Sequence, residues 1–141
     1  MSLEKNVRVL VITGSLNGIS GPVADLAVPV EYLDVTLSAE ADFAHSVRRE
    51  HNAFAYVFEG SAFFDEGSKR RADSENLVEF TDGEEIRVKA GKIGTRFLLV
   101  SGRPIGEPIA WGGPVVMNTK AELDTAFDEL EKGTFIKVRP S

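Results

Sequence analysis

An all-β fold, a sandwich or barrel of short strands with one helix at its C-terminal end, is what this sequence predicts. Three observations carry that expectation. Apolar residues recur at the strand period of two, turn-forming residues divide them at close spacing, and a helical period appears only near the end. A chain of 141 residues is the size of one domain. At that length folding buries roughly 68–70% of the unfolded surface, so one hydrophobic core is enough.

Val7, Val9 and Val11 alternate with Arg8, Leu10 and Ile12, and Leu33, Val35 and Leu37 alternate with Tyr32, Asp34 and Thr36, which predicts two strands. The run from Ala53 to Phe58 is aromatic on one side (Phe54, Tyr56, Phe58) and small or aliphatic on the other. Glu59-Gly60-Ser61 then signals a turn before Phe63-Phe64, so a buried hairpin is expected. Asn76 to Phe80, the turn Thr81-Asp82-Gly83, Ile86-Arg87-Val88, a Gly91 and Gly94 loop, and Phe97 to Val100 continue the pattern. Large rings at alternating strand positions fill barrels, so Phe54, Tyr56, Phe58, Phe63, Phe64, Phe80, Phe97 and Trp111 are expected mostly in the core. The last element differs. Thr119-Lys120-Ala121-Glu122 fits a capping box that opens a helix over about 119–132. Leu123, Ala126, Phe127 and Leu130 share one face of it, Lys132 suits the negative end of its dipole, and Gly133 suits a left-handed cap.

Composition excludes several function classes. With no cysteine there is no disulfide framework, zinc-thiolate site or thiol nucleophile. The net charge of -6 lacks the basic footprint of a phosphate-backbone binder, and Lys69-Arg70-Arg71, flanked by Asp65, Glu66, Asp73 and Glu75, reads as a solvated loop; no direct nucleic-acid partner is expected. Acidic pairs such as Glu84-Glu85 and Asp128-Glu129 are expected to face solvent. No run approaches the roughly 20 apolar residues of a membrane span, and the start shows no signal-peptide pattern, so the expectation is a cytoplasmic protein without a membrane partner.

Thr13-Gly14-Ser15-Leu16-Asn17-Gly18-Ile19 is similar to the Thr-Gly-x-x-x-Gly-Ile loop of short-chain dehydrogenases, with Asp34 where a ribose-binding acid would sit. That loop needs a following helix whose N-terminal amides receive the pyrophosphate. Pro22 and Pro29 enclose a stretch too short for one, so the expectation is a glycine-rich surface loop between strands, with no bound cofactor.

A second glycine-rich piece carries a family resemblance. Gly113-Pro114-Val115-Val116-Met117-Asn118-Thr119, followed by Glu122 and a helix ending in Lys132-Gly133-Thr134-Phe135, resembles the Gly-Pro-Phe-Val-Met-Asn-Thr signature and final helix of the pirin family, with Val115 in place of the usual phenylalanine. Ser101 to Ile109 resembles the family's Gly-x-Pro-Leu-x-Glu-Pro segment, His51 to Gly60 its strand before a Glu-Gly turn, and Thr13-Gly14 through Gly21-Pro22 the loop opening its second domain. The resemblance implies a cupin-type double-stranded β-helix, or jelly-roll barrel, over residues 1–141, corresponding to the C-terminal domain of pirins. It implies structural roles for Gly113, Pro114, Met117, Asn118, Thr119 and Glu122. It also implies that the family's N-terminal barrel, which holds an iron-type metal through three histidines and a glutamate, has no counterpart here. Quercetin-type dioxygenase activity in some members and a transcription-linked role in others would then lie with the longer protein. This chain alone is expected to be a metal-free interaction domain without activity, partnered by an N-terminal barrel or by a second copy of itself.

A cupin metal site of its own would need paired histidines around Ser46 to Arg49, a glutamate near Ala53 and a histidine within Ala90 to Gly94, and none of these positions carries one. The remaining metal candidates are His45, His51 and Glu59, whose spacing matches no familiar ligand pattern. In the plainer reading His45 lies on an exposed loop and His51 opens a strand. No serine sits in a Gly-x-Ser-x-Gly elbow, so no catalytic residue is assigned. The alternative function is a stand-alone small-molecule binder or enzyme that uses its own barrel cavity with these three residues.

Overall fold

The computed structural model describes residues 2–4 and 6–137. The chain divides after Pro104 into two compact units. The first contains β1 (Ser2–Glu4), β2 (Val7–Thr13), β3 (Ser15–Leu16), β4 (Ile19–Ser20), β5 (Val30–Leu37), β6 (Asp42–Ser46), β7 (Asn52–Phe63), β8 (Arg71–Asp73), β9 (Asn76–Glu79) and β10 (Glu85–Gly102). The second contains β11 (Ala110–Gly112), β12 (Val115–Met117) and α1 (Lys120–Glu131).

Two long strands make the first unit a jelly roll. The antiparallel order is β1-β2-β5-β10-β7-β8, with β6 also on β10 and β9 also on β7. Thr95 to Gly102 of β10 lies between β5 and β7, whereas Glu85 to Lys89 of the same strand pairs with β6. Likewise β7 meets β9 through Phe54 to Val57 and β8 through Ser61 to Phe63. Each long strand therefore crosses a corner and serves two layers, as in orthogonally packed sheets. The corner is built from glycine. Register slips between Ala90 and Thr95, Gly60 and Gly94 have φ of 71° and 83°, and a Cβ on Gly60 would sit 2.1 Å from the Gly94 carbonyl oxygen. This corrects two expectations at once: Glu59-Gly60-Ser61 is a bend inside β7 rather than a hairpin turn, and Gly91 to Gly94 is a bend inside β10 rather than a loop.

The glycine-rich opening loop forms a hairpin. β3 and β4 pair around Asn17-Gly18, both at positive φ (49° and 79°), which is the two-residue turn that matches strand twist. No helix follows it before β5.

The barrel core is formed by Val7, Val9, Leu33, Val35, Leu37, Phe43, Ala55, Val57, Ile86, Val88, Phe97 and Leu99, all buried. Each large apolar side chain fully buried there contributes about 1.5–3 kcal/mol. Phe97 is at its centre, with ring centroids 5.4 Å from Phe64 and 6.3 Å from Phe43. Phe97 and Leu99 pair across the ladder with Val57 and Ala55, large beside small, so β7 turns its small side inward. The aromatic expectation is corrected accordingly. Phe54 and Tyr56 are exposed on the outer face, and Trp111 in the second unit is 75% exposed, its Nε1–H donating to the Gly113 carbonyl at 2.7 Å.

In the second unit the β11–β12 hairpin turns at Gly113, whose φ is 53°. α1 packs on it at Gly112, where a Cβ would meet the Phe127 ring at 3.1 Å and Leu123 at 3.2 Å. The capping box forms as the sequence predicts: the Thr119 hydroxyl accepts from the Glu122 amide at 3.2 Å, and the Glu122 carboxylate accepts from the Thr119 amide at 2.8 Å. At the other end Gly133 is left-handed with φ of 67°, its amide donates to the Leu130 carbonyl and the Thr134 amide donates to the Glu129 carbonyl, a Schellman motif. On the expected apolar face Ala126 is buried and Leu123 half-buried, while Phe127 and Leu130 remain exposed.

Candidate functional site

Strand phase sets the chemistry at one mouth of the first unit's barrel. Residues 33, 35 and 37 of β5 face inward, so Glu31, two residues earlier, faces inward as well. Phe43 of β6 faces inward and carries His45 with it; Phe97 and Leu99 of β10 carry Ser101, which is 3% exposed. Glu31, Ser101 and Ala53 are ladder partners on adjacent strands. From the opposite layer the His45 ring reaches Glu31, with Nε2 at 2.8 Å from Oε2 and side-chain exposures of 8% and 20%. An ionised carboxylate only accepts, so Nε2–H is the donor. The Phe43 ring stacks on His45 with centroids 6.0 Å apart and planes within 6°. Gly14, at φ of 86°, lies over this acid: a Cβ there would sit 3.1 Å from both Cα and Cγ of Glu31.

A cleft of about 240 Å³ opens beside Glu31, lined by Gly14, Ser15, Pro29, Val30, Glu31, Ser46, Arg48, His51 and Ser101. The Arg48 side chain makes no ion pair or hydrogen bond among the described residues, while its neighbour Arg49 pairs with Glu84. A larger cleft of about 720 Å³ lies along the outer side of β6 and the first half of β10, but most of the polar groups lining it, among them Asp42, Glu66, Arg87 and Lys89, are exposed. Of the polar groups lining the mouth cleft, Ser101 is buried and Glu31 and His51 are half-buried, while Ser15, Ser46 and Arg48 are exposed.

The sequence-derived candidates separate here. His45 is on β6, buried, and not on an exposed loop. His51 precedes β7 at the rim of the cleft, its amide donating to the Arg48 carbonyl. Glu59 has a side chain 65% exposed, 3.7 Å from Arg96 Nη1, and is no partner of either histidine. Glu31 and Ser101 were missed, although their phase with the alternating core residues of their own strands marks both as inward. Among the described residues no three histidine, aspartate or glutamate side chains gather as a metal-holding group. Ala53, near which the resemblance places the metal-binding glutamate of a cupin site, stands in the ladder row of Glu31 and Ser101 and carries no ligand atom. The residues present here therefore do not fit the iron-type metal that the resemblance implies for the family.

Asp34 is already engaged. Its carboxylate accepts from Arg96 Nε at 2.9 Å and Nη2 at 2.6 Å, a two-point pairing on the outer face that raises the Arg96 pKa further, and the guanidinium also lies 4.9 Å from the Phe58 ring centroid. The basic spot is likewise tied locally: Asp65 accepts from the amides of Lys69 and Arg70, and these bonds hold its carboxyl below the usual range. The signature residues lie in the second unit. Gly113 and Pro114 form the hairpin turn, Asn118 Nδ2 donates to Glu107 at 2.7 Å, and Thr119 with Glu122 caps the helix. The bonds from the Thr119 hydroxyl and amide lower the Glu122 pKa.

Comparisons agree with the architecture. The Pirin C-terminal cupin domain matches residues 32–136. Pirin-1 of Arabidopsis thaliana is 37% identical over 131 residues, covering 91% of this chain and 45% of that protein. A pirin-like protein of Caulobacter vibrioides is 38% identical over 133 residues, covering 94% and 47%. Among solved structures, a quercetin 2,3-dioxygenase from Acinetobacter baumannii superposes with a TM-score of 0.85 at 28% identity, covering 96% of this chain and 46% of that one. The chain spans about half the length of the curated relatives it matches. No helix among the described residues is long and apolar enough to cross a membrane.

Proposed function

This chain belongs to the pirin family, and on that premise we propose that it serves as a structural and interaction domain, packing the outer face of its larger sheet against a second barrel. One observation carries the reading. The ladder registers set Leu10, Asp34, Leu98, Tyr56 and Leu77 in a single outward row across five strands, and Tyr32, Val100 and Phe54 form the next. Leu10, Phe54, Tyr56 and Leu77 are 40%, 40%, 37% and 57% exposed. Apart from Asp34, whose charge Arg96 balances, the two rows are apolar or aromatic, and an exposed apolar face of this kind marks an interaction surface. Relatives about twice as long supply a natural occupant, a second barrel; where none is present, another copy of the chain takes its place. Dioxygenase chemistry of the kind named for the Acinetobacter neighbour falls, on this reading, to the barrel that carries metal ligands.

Light scattering of the purified chain tests this. Self-association at high micromolar concentration is expected, and a Tyr56→Ser/Leu77→Ser variant should be monomeric while its unfolding free energy shifts by roughly 0.5 kcal/mol per exposed site. A wild-type chain that stays monomeric, or a variant that associates unchanged, overturns the proposal.

A further inference from the structure

We propose that the mouth of the first unit's barrel binds a small carboxylic acid that carries a hydrogen donor, hydroxyl or ammonium, on the carbon next to its carboxylate. The argument starts from what the mouth contains. An apolar plug would close a barrel end more cheaply than a half-buried acid and a buried imidazole, since a polar group taken out of water loses hydration that its neighbour only partly restores. Here the end holds Glu31, bonded to His45 at 2.8 Å, with the His45 ring stacked beside Phe43. Glu31 therefore presents a fixed acceptor to the cleft; its side chain keeps 20% of its exposure. The Ser101 hydroxyl, on the ladder partner of Glu31, lies on the same inner row.

At the rim the charge reverses. The Arg48 side chain lines the same cleft with no ion pair or hydrogen bond among the described residues, and His51, whose amide donates to the Arg48 carbonyl, stands beside it in the lining. A ligand for this cleft meets an acceptor at its inner end and a cation at its outer end, so it donates hydrogen at one end and carries negative charge at the other. A guanidinium takes a carboxylate through two parallel bonds. A second carboxylate pointed at Glu31 would be repelled, whereas a hydroxyl or ammonium would donate to it. Size adds a limit. A volume of about 240 Å³ lies below the roughly 300–1,000 Å³ of drug-sized sites, which restricts the ligand to a few carbons. Gly14 keeps the entrance open, because any side chain there would press on Glu31. The site is on a different face from the apolar rows and does not rest on what covers them.

Amide and ring shifts of the full chain in NMR titrations with lactate, alanine and propionate test the assignment, the last acid lacking the donor. Lactate or alanine is expected to shift Ser46, His51 and Ser101 and to bind at least about fivefold more tightly than propionate, a ratio typical of one hydrogen bond to a charged acceptor. Which of the two binds tells hydroxyl from ammonium. Arg48→Ala, a change at an exposed position, should weaken binding about tenfold, and Glu31→Gln should bring the preferred acid and propionate within about twofold of each other. Ser101→Ala keeps the fold in question separate from the acid and should weaken binding by about two- to fivefold. Equal affinity for all three acids, no shift at tens of millimolar, or full affinity in Arg48→Ala overturns the proposal.

Discussion

In the first unit Val9, Leu33, Val35, Ala55, Val57 and Phe97 have no exposed surface, whereas in the second the buried apolar residues among those described are Val115 and Ala126, and Ile105, Ile109, Trp111, Val116 and Ile136 are 60–78% exposed. The second unit is instead ordered by local bonds. A capping box, a Schellman motif, the i,i+4 pairs Lys120 with Asp124 and Asp128 with Lys132, and the Asn118 to Glu107 bond hold its twelve-residue helix and hairpin. Helices of about this length are marginal alone in water. The contrast teaches that burial defines the barrel, while the signature segment is shaped by hydrogen bonds and leaves its apolar side chains with packing still to gain.

The largest expected effect breaks the barrel and leaves the local devices untouched. Phe97→Ala removes the ring that Phe43 and Phe64 pack against and should lower the unfolding free energy by about 3–5 kcal/mol in denaturant titrations. A loss under about 1 kcal/mol would mean that the core is not organised around Phe97.

How much of this was legible follows from the same physics. Period-two patterning locates β2, β5 and the ends of β7 and β10, and the box and glycine that bound α1 are short-range signals that read directly. Alternation alone does not say which phase is inside, however. At β7 the rings look like the core side, yet Phe97 and Leu99 on the neighbouring strand fill the interior and leave room only for Ala55 and Val57. The corners failed for a related reason: Gly60 and Gly94 carry turn chemistry, but they face one another across a ladder, and that partnership is a long-range fact. His45 was lost with its strand. Asp42 to Ser46 is short and mostly polar, and only its pairing with Glu85 to Lys89 makes it β6. Glu31 stood in phase with Leu33, Val35 and Leu37, so its inward direction was readable once that strand's inner phase was known.

Smaller effects should fall on the second unit alone. Thr119→Ala removes the hydroxyl that accepts from the Glu122 amide and should cost the helix about 0.5–2 kcal/mol. Amide exchange should quicken across Lys120 to Glu131 while the amides of Leu33, Val35 and Phe97 keep their protection. Uniform acceleration in both units would show that they unfold as one body and would erase the distinction drawn above.

The smallest effect is electrostatic. The Glu122 carboxyl is held below its ordinary pKa by the Thr119 hydroxyl and then the Thr119 amide. A depressed carboxyl favours the folded helix in its ionised form, so its contribution is complete above the unfolded glutamate pKa and fades as pH falls through that value toward the folded one. Acidification should therefore loosen the first turn of α1. Glutamine can serve the same position of a capping box without titrating, so Glu122→Gln should keep the helix at neutral pH and flatten its acid response. Asp65 supplies the internal control. Its carboxyl is also depressed, by the amides of Lys69 and Arg70, so acid should release that loop in both proteins alike. An α1 response identical in wild type and Glu122→Gln would assign the acid sensitivity to groups other than the cap.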